Sequence, residues 1–317
     1  MNTNEKELIC LSDVEVKPVE WLWYPYIPYG KITIIQGDPG EGKTMLSLNI
    51  AALLSQGGAL PGDSGVRQPI NIIYNSAEDG LADTIKPRLL TAGADCTRIL
   101  TINETVNSLS MTDERIEKSI KTTGAKLVIL DPMQGYIGSN VDLHRANEIR
   151  PIFSQLGRIA EENHCAVVLI GHLNKTCGQK AAYRGLGSVD ITAAARSVLF
   201  VGKSPKDKNK RFIYHSKSSL APNGKSIVFE IVDGKIEWGE FVDFSAEELL
   251  EEGSSIAKID EAKDFLLQFL SDGAKPQTEI QAEAENKNFG ERTLREAKTI
   301  LKIKSFKEGK KWYWKLP

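Results

Sequence analysis

The stretch Gly37-Asp38-Pro39-Gly40-Glu41-Gly42-Lys43-Thr44 has the spacing G-x-x-x-x-G-K-[ST] of a phosphate-binding loop. Each residue type in it has its own physical task. Glycines let the backbone curl until successive N–H groups point at one anion. A helix following the loop adds its positive N-terminal end. Lys43 has the reach for β- and γ-phosphates, and the Thr44 hydroxyl can bind Mg²⁺. The residues expected to cradle a nucleotide are therefore Gly37, Asp38, Pro39, Gly40, Glu41, Gly42, Lys43, Thr44 and Met45.

The flanks supply the setting such a loop needs. Lys31-Ile32-Thr33-Ile34-Ile35-Gln36 is a β-branched run, as expected of a buried strand. After the loop, Leu46, Ile50, Leu53 and Leu54 recur at helical spacing until Gly57-Gly58 stops the helix. Working outward, strands are expected at 31–36, 70–75, 98–102, 126–130, 166–170 and 197–201, with helices at 43–56, 79–92, 112–122, 145–163 and 188–195. This alternation predicts an α/β fold, a mostly parallel twisted sheet flanked by helices on both faces. Three further strands, 211–216, 226–232 and 235–238, follow closely, with Pro222-Asn223-Gly224 and Asp233-Gly234 as turns. They predict antiparallel additions at one edge.

The expected organisation has four parts. Residues 1–29 form a lead-in whose aromatic, proline-rich stretch Trp21–Tyr29 is expected to lie as a flap over the core or against a neighbouring subunit. Residues 30–240 form the α/β unit. Residues 241–256, acidic and then rich in small residues, read as a linker. Residues 257–317 form a separate unit with three short helices and a hairpin turning at Glu308-Gly309, the pattern of a winged helix-turn-helix. The net charge of −2 excludes a strongly basic protein overall. Four cysteines far apart, without a C-x-x-C pair, argue against a zinc site or disulfide framework and fit a reducing cytoplasm. The N-terminus lacks a secretory pattern, and no apolar run reaches the roughly 18 residues that span a bilayer.

Phosphoryl transfer depends on positioning and charge stabilisation, so the informative residues are polar ones at strand ends. Asp131 ends the run Leu127-Val128-Ile129-Leu130 and is a candidate to hold Mg²⁺ with Thr44. Glu78, in Asn75-Ser76-Ala77-Glu78-Asp79, can serve as general base for an attacking water. Taken by spacing alone, Glu78 and Asp79 fit equally well as acids in the first turn of a helix. His172 ends the next strand, where a polar side chain can sense a γ-phosphate.

The order of P-loop, Ser76-Ala77-Glu78, Asp131-Pro132-Met133-Gln134, His172-Leu173-Asn174-Lys175 and Arg184-Gly185-Leu186-Gly187-Ser188 resembles the RecA-like ATPases. Within them it is similar to the hexameric helicase branch, of both the replicative DnaB type and the plasmid RepA type, an AAA_25-like family. The resemblance covers roughly residues 20–240. It implies ATP and Mg²⁺ as cofactors, favours Glu78 as the catalytic base, and implies a homo-oligomer, a hexamer above others, with the site between subunits. Replicative helicases carry Lys-x-Arg on a late strand, whereas this chain has Lys217-Ser218-Ser219, keeping the lysine and lacking the arginine. Arg196 stands where the RepA type carries its finger, so Arg196 with Lys217 is the expected cation pair acting in trans.

Two regions are expected to meet DNA. The loop after His172 carries Lys175, Lys180 and Arg184 among glycines, as a pore loop tracking single-stranded DNA would. Residues 288–317 hold nine basic and three acidic residues, a charge of +6. There Arg292, Thr293 and Arg295 would face a duplex from a recognition helix, with Lys310 and Lys311 on the wing near phosphates. Winged helices also mediate protein contacts, and that reading stays open. Trp312 and Trp314 are expected in the core of this unit. Together these features predict a cytoplasmic DNA helicase or translocase for replication of a mobile element or phage. An ATP-switch loader or regulator and a RecA- or RadA-like recombination ATPase are the alternatives.

Overall fold

In the computed structural model, which describes residues 8–138, 141, 145–172, 189–204, 207, 209–243, 259, 261–309 and 311–317, the phosphate-loop strand β3 (Ile32–Gly37) lies inside a nine-stranded sheet. The other strands are β4 (Ile72–Ser76), β5 (Ile99–Leu100), β6 (Leu127–Asp131), β7 (Ala166–His172), β8 (Ser197–Lys203), β9 (Lys210–Ser218), β10 (Ser226–Val232) and β11 (Lys235–Val242). Their order is β11-β10-β9-β8-β3-β7-β6-β4-β5. From β8 to β5 all neighbours pair parallel, and β9, β10 and β11 are added antiparallel. The expected α/β sheet and its antiparallel edge are both present.

The sheet is buried on both faces because its strands are apolar at successive positions. Ile32, Ile34, Ile73, Val128, Leu130, Val167 and Leu169 face one core with residues of α3 (Glu114–Thr123) and α4 (Ala146–Glu162). Ile35, Ile72, Tyr74, Leu127, Ile129, Val168 and Ile170 face the other, with α1 (Lys43–Ser55) and α2 (Lys86–Thr91). Each fully buried Leu or Ile contributes about 1.5–3 kcal/mol, so this two-sided burial fixes strand register strongly. The aromatic lead-in also belongs to the second core. Its hairpin, β1 (Trp21–Trp23) and β2 (Ile27–Pro28), buries Leu22, Trp23, Tyr26 and Ile27, and Trp23 packs edge-on against Trp238.

The helix expected over 79–92 is divided. A wide π-type turn occupies Leu81–Ile85, and α2 starts only at Lys86. Pro87 explains the break, because it has no N–H to donate back to Asp83 and sits best in a first turn.

A second set of elements follows: α6 (261–269), β12 (Lys275–Pro276), α7 (Gln277–Asn286), α8 (Glu291–Ile300), β13 (Lys304–Glu308) and β14 (Lys311–Lys315). Its three strands pair antiparallel in the order β12-β14-β13. It has its own core, with Phe265, Leu266, Leu270, Ile280, Leu294, Ile303 and Trp314. Trp314 is buried as expected, but Trp312 is half exposed. Trp312 pairs with Lys307 near the hairpin tip, whereas Trp314 lies deeper in the ladder, under Lys298 of α8.

Candidate active site

The site follows from the two-residue period of parallel strands. Gly37 pairs with His172, and Ser76 pairs with Asp131, each at the carboxyl end of its strand. Counting in twos from Ile35, Tyr74, Ile129 and Ile170 places all four on the face that carries α1. Three strand ends therefore aim polar groups at the start of one helix, the usual ligand position of an open α/β sheet.

The loop between β3 and α1 is shaped by two glycines. Gly42, the residue before α1, has φ +95, and a Cβ there would lie 2.9 Å from Ile231 Cδ1. A Cβ on Gly37 would lie 2.1 Å from the Val201 carbonyl oxygen. Neither position admits a side chain. Lys43 is 4% exposed, and its Nζ donates to the carbonyls of Gly37 and Asp38, each at 2.9 Å. Burial lowers its pKa, against the attraction of Asp131, Asp38, Glu41 and Glu78. The ammonium thus waits inside the loop and can exchange its carbonyl partners for phosphate oxygens.

Asp131 is also buried, and burial pushes its pKa up, with hydrogen bonds from Tyr74 and Thr44 acting to lower it. Tyr74 Oη donates to Asp131 Oδ2 at 2.7 Å. Tyr74 was not expected as a site residue, since by pattern it is one more member of a strand. It is diagonal to Asp131 across the β4–β6 pair, close enough for a long side chain to reach. Burial raises its own pKa well above the ordinary value, so it stays a donor.

The two acids after β4 have separate fates. Asp79 accepts from Arg88 at 3.0 Å and its backbone N–H donates to Ser76 Oγ. Glu78 is exposed and makes no hydrogen bond or ion pair with another described residue. Its charge acts on Lys43 and His172, which places its carboxylate within electrostatic reach of both. Burial and the Lys43 charge lower the pKa of His172, so the imidazole is neutral at pH 7; Nδ1 is buried without a partner among the described residues. Gln134 Oε1, in the turn after Asp131, is likewise buried and without a partner among them.

The antiparallel edge adds two cations that the motifs did not announce. Arg211 of β9 lies against Gly42, and its Nε is buried without a partner among the described residues. Lys203 and Arg211 both act to lower the pKa of Glu41, which burial raises.

The expected trans pair sits elsewhere. Arg196 donates its N–H to Ile32 O at 3.0 Å and accepts from Ser219 N at 2.9 Å, so its backbone is pinned while its side chain is exposed. Ile32 opens β3 and Gly37 closes it, a span of roughly 16 Å. Arg196 is therefore remote from its own phosphate loop. Lys217 Nζ donates to the carbonyls of Thr192, Ala193 and Ala195 at 2.8, 3.0 and 2.8 Å. It caps the end of α5 (Val189–Ala194) and holds the turn that presents Arg196.

Of the expected DNA contacts, Lys175, Lys180, Arg184 and Lys310 lie outside the described residues. Arg292 and Thr293 lie in the first turn of α8 and Arg295 one turn on; Arg292 pairs with Glu296 at 3.1 Å and Arg295 with Glu291 at 3.2 Å. Lys311 is exposed at the start of β14. Among the described residues, no helix is long and apolar enough to cross a membrane.

The sequence profile of a family described as an AAA domain, AAA_25, matches residues 7–178. DNA repair protein RadA of Streptococcus pneumoniae (strain ATCC BAA-255 / R6) is 28% identical over 148 residues, 46% of this chain and 31% of that protein. DNA repair protein RadA of Bacillus subtilis (strain 168) is 28% identical over 149 residues, 46% of this chain and 28% of that protein. The match thus spans about a third of the length of these relatives. Among solved structures, the ATPase domain of G40P is similar with a TM-score of 0.49 and 17% identity, covering 68% of this chain and 85% of that one. The RadB recombinase is similar with a TM-score of 0.47 and 18% identity, covering 68% and 93%.

Proposed function

Since the chain belongs to the AAA_25 family of AAA domains, whose profile covers more than half of it, we propose that it is a RecA-like, Mg²⁺-dependent ATPase that works on DNA as a homo-oligomer, a hexamer above others. The observation that carries this reading is the convergence of Lys43, Asp131, His172 and Glu78 on the start of α1, with Asp79 held by Arg88 and Glu78 left without a partner among the described residues. The glycine cradle, the buried Lys43 and His172 Nδ1, without a partner among the described residues, fit a polyphosphate with its metal.

Bound ATP·Mg²⁺ supplies the phosphoryl group and the charge that neutralises it. The backbone N–H groups of the loop, Pro39 excepted, would hold the phosphates, with the Lys43 ammonium, now on the Gly37 and Asp38 carbonyls, as their cation. Thr44 and Asp131 would hold the metal, and Tyr74 fixes the Asp131 carboxylate for that task. Glu78 takes a proton from the attacking water. His172 senses the γ-phosphate and passes its state to the following loop, where Lys175, Lys180 and Arg184 track single-stranded DNA. Arg196 enters the site of a neighbouring subunit, which agrees with its distance from its own loop and with the cap Lys217 provides. Residues 30–240 are the motor, 241–256 a linker, and 257–317 a winged helix that meets duplex DNA through Arg292, Thr293, Arg295, Lys310 and Lys311.

A helicase or translocase of a mobile element or phage fits this arrangement best. The relatives named DNA repair proteins support work on DNA and favour a recombination-type ATPase as the second reading. The test is the ATPase rate with and without single-stranded and duplex DNA, paired with a strand-displacement assay. Stimulation with displacement supports the helicase; stimulation without displacement favours the second reading. An unchanged rate with every nucleic acid contradicts both.

A further inference from the structure

Helix α8 has chemically different ends. Its first turn carries Arg292 and Thr293, exposed to solvent. Its last two turns and the residues after it line an open cavity of about 480 Å³, bordered also by Gln277 at the start of α7 and Trp314 of β14. Arg295, Lys298 and Lys302 supply three cations, and among the described residues no carboxylate lines the cavity. Gln277, on the opposite wall, is the first residue of α7, and Pro276 before it provides no side-chain cap for that helix end. The N-terminal N–H groups of α7 lie on that side, with Glu279 in the same first turn.

A second observation comes from Trp314, whose ring lines the same cavity. The residue is 3% exposed, and its Nε1 is shielded from solvent without a partner among the described residues. Lys298 Nζ lies 4.1 Å from the Trp314 ring centroid and also contacts Ser305 Oγ. Burial lowers the pKa of Lys298, because neither neighbour supplies a counter-charge. Arg295 has Glu291 as a partner outside the cavity, while Lys298 and Lys302 have no ion pair with a described residue.

We propose that this cavity is an oxyanion site that binds a phosphate group beside the Trp314 ring, with Lys298, Lys302 and Arg295 balancing its charge and Gln277 donating to its oxygens. The phosphate belongs to a DNA backbone or to a free small anion. In the first case the contact positions this unit on a duplex without reading its sequence. The site stands apart from the ATPase reading, since none of its residues belongs to the large sheet or its helices.

Indole ¹⁵N–¹H signals of the full-length chain test this. The chain has five tryptophans, and the Trp314 signal is identified by its loss in Trp314→Phe. Inorganic phosphate, added at constant ionic strength, is expected to shift the Trp314 signal saturably. Lys302→Gln lies outside α8 and leaves the core intact; it is expected to weaken that binding about tenfold. Lys118→Gln, exposed on α3 beside the large sheet, is expected to leave it unchanged. A short DNA duplex that moves the same signal and is displaced by phosphate identifies the backbone as the source. A duplex without effect, beside a phosphate response, identifies a free anion. The proposal is overturned if neither phosphate nor duplex shifts Trp314, or if Lys302→Gln responds as the wild type does.

Discussion

The carboxyl edge of the large sheet and the basic C-terminal unit both gather positive charge, but they hold it differently. At the sheet edge, Lys43 is 4% exposed and its ammonium rests on two carbonyls placed by β3. On α8, the Arg292 side chain is 92% exposed and pairs with a glutamate one turn away on the same helix. Exposed pairs of that kind contribute only about 0.3–0.5 kcal/mol and give way readily to a better anion. The first region is assembled before its ligand arrives, because burial on both sheet faces fixes the register that aims its groups. The second is a surface that a ligand must organise.

The widest test of this contrast is Arg196, which is pinned to the large sheet just before β8, remote from its own phosphate loop. Arg196→Ala is expected to lower kcat by about 10³-fold with nucleotide affinity kept. Mixing it with Glu78→Gln is expected to restore part of the rate, since some interfaces then pair an intact Arg196 with an intact Glu78. No recovery on mixing would place the function of Arg196 within its own subunit.

Next in size is the buried polar network behind β8. The Gly224 N–H donates to His215 Nδ1 at 2.9 Å, Nε2 donates to Ser197 Oγ at 3.0 Å, and Ser197 Oγ donates to Tyr26 O at 2.6 Å. Burial pushes the His215 pKa down from 6.5 to about 4, with a backbone hydrogen bond at Lys217 opposing. In the unfolded chain the same imidazole takes a proton near pH 6.5, so the unfolded state binds more protons between those values. The native state should lose about 3 kcal/mol as pH falls from about 6.5 to about 4. Denaturant melts across that range are expected to show the loss in wild type and a flatter profile in His215→Gln.

Tyr74→Phe removes one donor from Asp131 and keeps the ring that fills the core. The Mg²⁺ concentration needed for half-maximal nucleotide binding should rise about tenfold, as for other groups that orient a metal-holding carboxylate. Arg292→Gln should have the smallest effect. It is expected to weaken duplex binding a few-fold and to reduce the slope of log affinity against log salt by about 1.

The contrast also explains what the sequence discloses. Strands such as Ile32–Gly37 and Leu127–Asp131 are legible because burial on both faces demands unbroken β-branched and apolar runs. Their polar ends, Gly37, Asp131 and His172, are then conspicuous. Tyr74 is hidden by the same rule, since a buried tyrosine in a strand looks like core, and its hydroxyl partner is 57 residues away. Arg211 is hidden because only the antiparallel fold-back of β9 along β8 brings it to the phosphate loop, opposite Lys203 at the end of β8. Lys217 carries a motif position, and its three carbonyl partners appear only once α5 ends beside β9. Spacing could not divide Glu78 from Asp79; the Arg88 partner of Asp79 does so.

The central claim is that Glu78 acts on water within a site the sheet has already assembled. Its most direct test is single-turnover ATP hydrolysis by Glu78→Gln, measured beside equilibrium nucleotide binding in the same buffer. The expected result is a rate lower by about 10²–10⁴-fold with binding within a few-fold of wild type. Hydrolysis by Glu78→Gln at the wild-type rate would contradict it.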